Sequence, residues 1–376
     1  MFRKILTAVA AVFGSAISVV LLLYIFFIPG TETETIQTGP TDQPVPVLMD
    51  NYDALIADTM NEAHEAALAV KKHFWIDDDA VIAPAPDQEK FGETDDPSSL
   101  QWLLDEAADL LDGQDTLFST DIEICPGTKV TYYLDDTILA ITWRQVFHNF
   151  VYTISEVKVA DPSQFRRYLA NNEYNSDYLY WTTEMAAEVN SVVASSADYY
   201  RGRVYGIIVY DGEVKRISHG RYVDTCYVDD NGDLIFSYRG EILDQETAQK
   251  FVDDNNISFS ICFGPVLVDN GVRCEHDSYA LGEVNDHYPR AALCQRDDLH
   301  YLVVTANGDK SYYNYPTIHM FAETIAQFGC EKAYTMDGGQ TGAIAMNGKL
   351  MNPVQFGEQR RISDIIYFAT AIPDQQ

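Results

Sequence analysis

From about Thr116 to the end of the chain, short aromatic and β-branched runs alternate with tight-turn dipeptides, and few folds accept that rhythm. Val130–Leu134, Thr137–Thr142 and Phe150–Val159 read as strands. Val204–Tyr210 and Glu213–Ile217 flank Asp211-Gly212, and Ala343–Met346 and Lys349–Met351 flank Asn347-Gly348. Both dipeptides tolerate positive φ at the two central turn positions, which predicts hairpins. Another apolar run, from Phe263 to Val268, leads into Asn270-Gly271. Hairpins make sequence neighbours antiparallel, so the expectation is an α+β domain of largely antiparallel sheets with packed helices. Asp161-Pro162-Ser163-Gln164 carries an N-cap, a first-turn Pro and a capping-box Gln, and predicts a helix running through Arg166, Arg167 and Leu169. Thr317 caps a second helix bearing Phe321, Ile325 and Phe328, which Gly329 ends.

The segment before this domain has a different texture. Ile5–Ile28 holds no charged side chain. As a helix it spans about 36 Å, enough to cross a bilayer. Arg3 and Lys4 precede it and Glu32 and Glu34 follow, so the expected topology leaves the N-terminus inside and the rest extracytoplasmic. Residues 1–30 are thus read as a cytoplasmic tip and single-pass transmembrane signal anchor, and 31–50, rich in Thr, Pro and Glu, as a linker. Residues 51–115 are read as an acidic helical region, with Leu55, Ile56, Met60, Ala63, Ala67 and Val70 on one stripe. Residues 116–376 form the main domain.

Charge narrows the function classes. A formal net charge of −32 repels nucleic acid and gives no polybasic grip on anionic lipid. No nucleic-acid partner is expected. The six cysteines form no CxxC pair and have no accompanying His cluster, so no metal site is expected, and buried free thiols are the plainest reading. No cofactor can be named. The chain also lacks a Gly-x-Ser-x-Gly elbow, an HExxH helix and a phosphate loop ending in Gly-Lys-Ser/Thr. Acid–base work therefore falls to carboxylates.

The segment that best fits such chemistry is Ala333-Tyr334-Thr335-Met336-Asp337-Gly338-Gly339-Gln340-Thr341-Gly342, an apolar strand running into an acid and three glycines. Glycines let a backbone approach a ligand, and successive N–H groups can cradle an anion. An ordinary Gly-rich turn reads almost the same from this segment alone. Ser195 to Arg203 gathers Asp198, Tyr199, Tyr200, Arg201 and Arg203, residues suited to sugar faces and phosphate oxygens. Pro289-Arg290-Ala291-Ala292, Asn352-Pro353 and Arg360-Arg361-Ile362-Ser363-Asp364 are weaker signals.

The collinear order of these segments, with Glu156 to Ser163 before them, resembles the phosphodiester glycosidase family over roughly Thr116 to Ala371. The resemblance implies hydrolysis of a sugar-1-phosphodiester at the anomeric carbon, acting on an envelope or extracellular glycan such as exopolysaccharide. It implies Asp198 and Asp337 as catalytic carboxylates. Arg290, Gly338, Gly339, Gln340, Thr341, Asn352 and Arg360 would bind the sugar-phosphate substrate, with the Arg pair holding the anion and Asn352 the sugar hydroxyls. Three departures stand out. Ala197 replaces a customary Gly, Gln340-Thr341-Gly342 replaces Gly-Ser-Ser, and Ala306-Asn307-Gly308 stands where the family has Asp-Gly-Arg. They leave a second reading open, a non-catalytic sugar-phosphate binding or scaffold protein of the envelope.

Overall fold

The computed structural model describes residues 116–371, apart from 126–127, 136, 149, 219–221, 277–285 and 308–314. The expected anchor, linker and acidic helical region lie outside the described residues. Among the described residues no helix is long and apolar enough to cross a membrane.

In chain order the elements are β1 (Thr116–Cys125), β2 (Thr128–Asp135), β3 (Ile138–Phe147), β4 (Phe150–Val159), β5 (Phe165–Leu169), α1 (Thr182–Glu188), β6 (Val193–Ser196), β7 (Gly206–Tyr210) and β8 (Glu213–Ser218). Next come β9 (Thr225–Asp229), β10 (Leu234–Ser237), α2 (Gln245–Asp254), β11 (Ile257–Ile261), β12 (Val266–Asp269), β13 (Val272–Arg273), β14 (Arg290–Asp297) and β15 (His300–Ala306). The last are α3 (Ile318–Gln327), β16 (Lys332–Met336), β17 (Ile344–Met346), β18 (Lys349–Leu350) and β19 (Asp364–Phe368).

Three sheets result. The first has nine strands in the order β1-β2-β3-β4-β15-β14-β16-β12-β13. The second runs β10-β9-β11-β7-β8 and the third β18-β17-β6-β19-β5. Every strand pairing among the described residues is antiparallel, as the hairpin signals require. Asp211-Gly212, Asn270-Gly271 and Asn347-Gly348 all adopt positive φ at both residues, which turns their hairpins. Helix α3 begins as read: the Thr317 side chain accepts from the Met320 N–H, and Gly329 at φ 72° lies just past its end.

One expected helix is a strand. Asp161 and Gln164 do form the capping box, with Asp161 Oδ1 accepting from Ser163 N–H and Gln164 Oε1 from Asp161 N–H. The helix stops there as a single 3-10 turn of Pro162–Gln164. From Phe165 the chain extends as β5 and pairs with β19. Phe165, Arg167 and Leu169 alternate inward with a period of two, and burying all three outweighs the local helix signal.

Phe165 is where the sheets meet. Its ring stacks on Phe368 of β19 at 4.6 Å, lies 4.9 Å from Tyr301 of β15, and meets Phe259 of β11 edge-on at 5.4 Å. One aromatic cluster thus ties all three sheets, and it belongs to a continuous core that includes Val157, Val193, Ile261, Met336 and Ile344. The described cysteines Cys226, Cys262, Cys274, Cys294 and Cys330 are free thiols, four of them buried. Phe165→Ala should cost about 3–5 kcal/mol, because a cavity at a junction of three sheets cannot collapse by moving one element. Chemical denaturation, read as a lower midpoint at unchanged slope, checks it.

Candidate active site

Strand β16 lies inside the nine-stranded sheet between β14 and β12, so its C-terminal end is held on both sides. Asp337 comes directly after it. Its N–H donates to the Ala197 carbonyl at 3.2 Å, joining the end of β16 to the end of β6 in another sheet. That bond brings Asp198 and Asp337 together from positions far apart in sequence.

The two carboxylates differ in their surroundings. Asp198 is 2% exposed, and its oxygens are occupied. Oδ1 accepts from Tyr200 N–H at 2.9 Å. Oδ2 accepts from Cys262 N–H at 2.9 Å and from the Arg167 guanidinium at 3.2 Å. Arg167 also donates to Asp364 Oδ2 through Nε at 3.1 Å and Nη2 at 2.7 Å, and its third nitrogen reaches the Ser260 carbonyl. All three charged side chains are buried. Burial, with Asp198 adding to it, pushes the Asp364 carboxyl up to about 7 against the pull of Arg167. Asp198 therefore serves as a brace between β5, β6, β11 and β19. As a group for direct contact with a sugar, the role expected from sequence, it has little left to offer.

Asp337 is the carboxylate with an unsatisfied oxygen. Its Oδ2 is buried and has no hydrogen-bond partner. Burial pushes the carboxyl up to about 6; the Thr341 hydroxyl and the charges of Arg360 and Arg203 oppose the shift, and Asp198 adds to it. The two arginines approach on aromatic supports, Arg203 4.2 Å above the Phe263 ring and Arg360 5.4 Å from the Tyr199 ring. Arg203 belongs to a segment that the sequence marks, but it is absent from the site residues expected there.

The loop after Asp337 is shaped by close approach. A Cβ on Gly338 would sit 2.3 Å from the Pro289 carbonyl oxygen, so only glycine fits. Gly339 turns the chain at φ 70°. The N–H groups of Gly338, Gly339 and Gln340 donate to no acceptor among the described residues, which leaves three successive amides for an anion.

Other expected ligands are committed elsewhere. Thr341 Oγ1 donates to Gly338 O at 2.5 Å, closing the turn. Gln340 Nε2 donates to Glu358 O at 3.3 Å. Asn352, expected to touch sugar hydroxyls, accepts from Ile344 N–H at 2.7 Å and donates to Gly342 O at 2.7 Å and Pro353 O at 3.0 Å, bonds that brace the loop. Arg290 donates to the carbonyls of Asp286 at 2.7 Å and Pro316 at 3.4 Å, an arrangement that secures two connecting segments. Asn307, at the place where the resemblance lacks Asp-Gly-Arg, donates to Gly342 O at 2.6 Å and Gly339 O at 3.4 Å. It is a support that the sequence does not announce, and the same is true of Arg167 and Asp364.

Comparison with known proteins places the chain in a family. Residues 183–369, which hold Asp198, Arg203, Asp337 and Arg360, match the phosphodiester glycosidase family. The domain belongs to the phosphodiester glycosidase family. A curated relative, the SPbeta prophage-derived uncharacterized protein YomE of Bacillus subtilis (strain 168), is 26% identical over 188 residues, 48% of this chain. The match spans 28% of that relative's own length. Among solved structures, the zebrafish N-acetylglucosamine-1-phosphodiester alpha-N-acetylglucosaminidase catalytic domain is 17% identical with a TM-score of 0.47, over 68% of this chain and 87% of that one. A hypothetical protein from Synechocystis is 13% identical with a TM-score of 0.46, over 65% and 64%.

In this family domain the two acids should separate on stability. Asp337 is raised, so the folded state gains relative stability from the protonated form, fully present below about pH 4 and lost as pH rises through about 6. Asp337→Asn should leave stability unchanged at pH 3.5 and raise it above pH 6.5, by up to about 3 kcal/mol. Asp198→Ala should lower it by about 3–5 kcal/mol at neutral pH, because it leaves Arg167 underpaired in the interior. Thermal midpoints across pH 3.5–8 check both.

Proposed function

We propose that this phosphodiester glycosidase-family domain hydrolyses a sugar-1-phosphodiester at the anomeric carbon. The observation that carries the reading is the unpartnered Asp337 Oδ2, buried beside two supported guanidinium groups and a run of unused amides. A phosphodiester seated on Arg360, Arg203 and the Gly338–Gln340 amides places its ester oxygen over an anion site. The leaving phosphate monoester is stable as an anion, so cleavage requires little protonation of the leaving group. The remaining tasks are to activate water and steady a positively charged anomeric carbon, and an ionised Asp337 does both.

With Asp198 held by Arg167, Tyr200 and Cys262, one carboxylate acts at the sugar and the other fixes the field around it. We further propose that Ile5–Ile28 anchors the chain with this domain outside the membrane, where an envelope or extracellular glycan would be the substrate.

If Asp337 acts as the base, kcat/KM should fall as pH drops through about 6 and level off above it, since the working form is the ionised one. Asp337→Asn should lose about 10²–10⁴-fold in sugar release at pH 7.5 and abolish that limb. Sugar release from a panel of sugar-1-phosphodiesters, monitored across pH, tests this. Full turnover in Asp337→Asn, or binding by the wild-type protein without sugar release, would return the site to a non-catalytic sugar-phosphate binder.

A further inference from the structure

The segment from Gln355 to Arg360 is pinned at both ends to successive carbonyls of the Asp337 loop. Gln355 N–H donates to Gly339 O at 3.4 Å and Arg360 N–H to Gln340 O at 3.0 Å. Between these anchors the chain bulges outward as a lip. Phe356 sits on it, 69% exposed, with its backbone at φ 63°. A bulky side chain in the left-handed region is strained, and glycine would occupy that position without penalty. Folding gains nothing from an apolar ring held in water on a strained backbone. Strain of this kind persists where it serves a ligand and the surroundings enforce it.

The other end of the lip supplies a second ring. Gln359 donates to Thr183 Oγ1 at 3.1 Å and accepts from Thr183 N–H at 3.4 Å, which fastens the lip to the start of α1. Trp181, beside that start, is 42% exposed and has the Arg361 guanidinium 5.4 Å from its ring. Along the chain the lip therefore carries an exposed aromatic ring and the Arg360 guanidinium, whose charge acts on Asp337, and the following Arg361 lies against a second exposed ring. Flat aromatic faces match the C–H faces of pyranose rings, and five residues of chain from Phe356 to Arg361 reach at most about 17 Å.

We propose that Phe356 is a specificity-determining residue of this site: its ring, with that of Trp181, stacks on sugar rings beyond the Asp337 loop, so the site selects extended glycans over single sugar phosphodiesters. This rests on the reading of the Asp337 site as one that binds a sugar phosphodiester. Asp337 acts at the reacting centre, and Phe356 acts on the part of the substrate that does not react. The strain at Phe356 keeps the ring outside the core, where a sugar can meet it.

The test uses the full chain in detergent with two probes, a sugar-1-phosphodiester of methanol and one whose alcohol is a trisaccharide. Wild type should show a kcat/KM at least about tenfold higher for the extended probe. Phe356→Gly should lose about tenfold on that probe through KM, with kcat kept and the methyl diester unaffected. Its thermal midpoint should hold or rise as the strain is relieved. Phe356→Tyr should restore the KM, since the flat face is retained. Equal handling of the two probes by wild type, or no KM change in a folded Phe356→Gly, overturns the proposal. Binding is read separately by fluorescence titration of Asp337→Asn and of Asp337→Asn with Phe356→Gly. If wild type hydrolyses neither probe, the catalytic reading fails alone, and a tenfold weaker titration in the double variant still supports the lip. If Asp337→Asn does not bind the extended probe, the lip proposal falls too.

Discussion

Arg167 carries a positive charge into a place that water does not reach. Removing such a charge from water costs several kcal/mol, and only well-placed anions and acceptors return it. Here they come from four directions: Asp364 on β19, Asp198 after β6, the Ser260 carbonyl on β11, and the ring of Tyr200 at 5.6 Å. The strand that brings Arg167 inward also brings Phe165, two residues earlier, into the aromatic cluster shared by all three sheets. The charged brace and the apolar junction are therefore one device. Neither can shift without moving the strand ends from which the site is built.

That fixed frame sets the division of labour between the acids. Both follow an interior strand, and a backbone bond between Ala197 and Asp337 ties the two strand ends together. Asp198 is saturated with donors from the frame. Asp337 keeps one oxygen unsatisfied, which makes it costly to hold. The glycine loop adds close backbone approach, and the two guanidinium groups, each on an aromatic ring, add charge at a controlled distance.

Much of the fold was legible along the chain. The Asx-Gly hairpins and the α3 cap are local devices, set by φ preferences and by one side chain bonding one N–H. The same locality explains the failure at Phe165–Leu169. Asp161 to Gln164 makes its capping box as written, but the conformation of Phe165–Leu169 is decided by partners such as Asp198, Asp364 and Phe368, which lie in remote parts of the sequence. Arg167 was hidden for that reason: an Arg on an expected helix looks like a solvated face. Asp364 stands in the Arg360–Asp364 segment, yet nothing in its sequence neighbours announces a buried guanidinium.

By itself the sequence determined the antiparallel plan, the identity of the family and the Asp337-Gly338-Gly339 loop, because hairpin chemistry, collinear motifs and glycine's conformational freedom are written in consecutive residues. Tertiary structure alone decided which acid is free. Asp198 and Asp337 are the same side chain in similar strand-end settings. The difference between them is the set of donors that distant strands deliver, three to Asp198 and none to Asp337 Oδ2. It also gave Asn352 and Arg290 bonds to the backbone of neighbouring segments, since an amide or guanidinium goes to whatever carbonyls the fold places within hydrogen-bond reach.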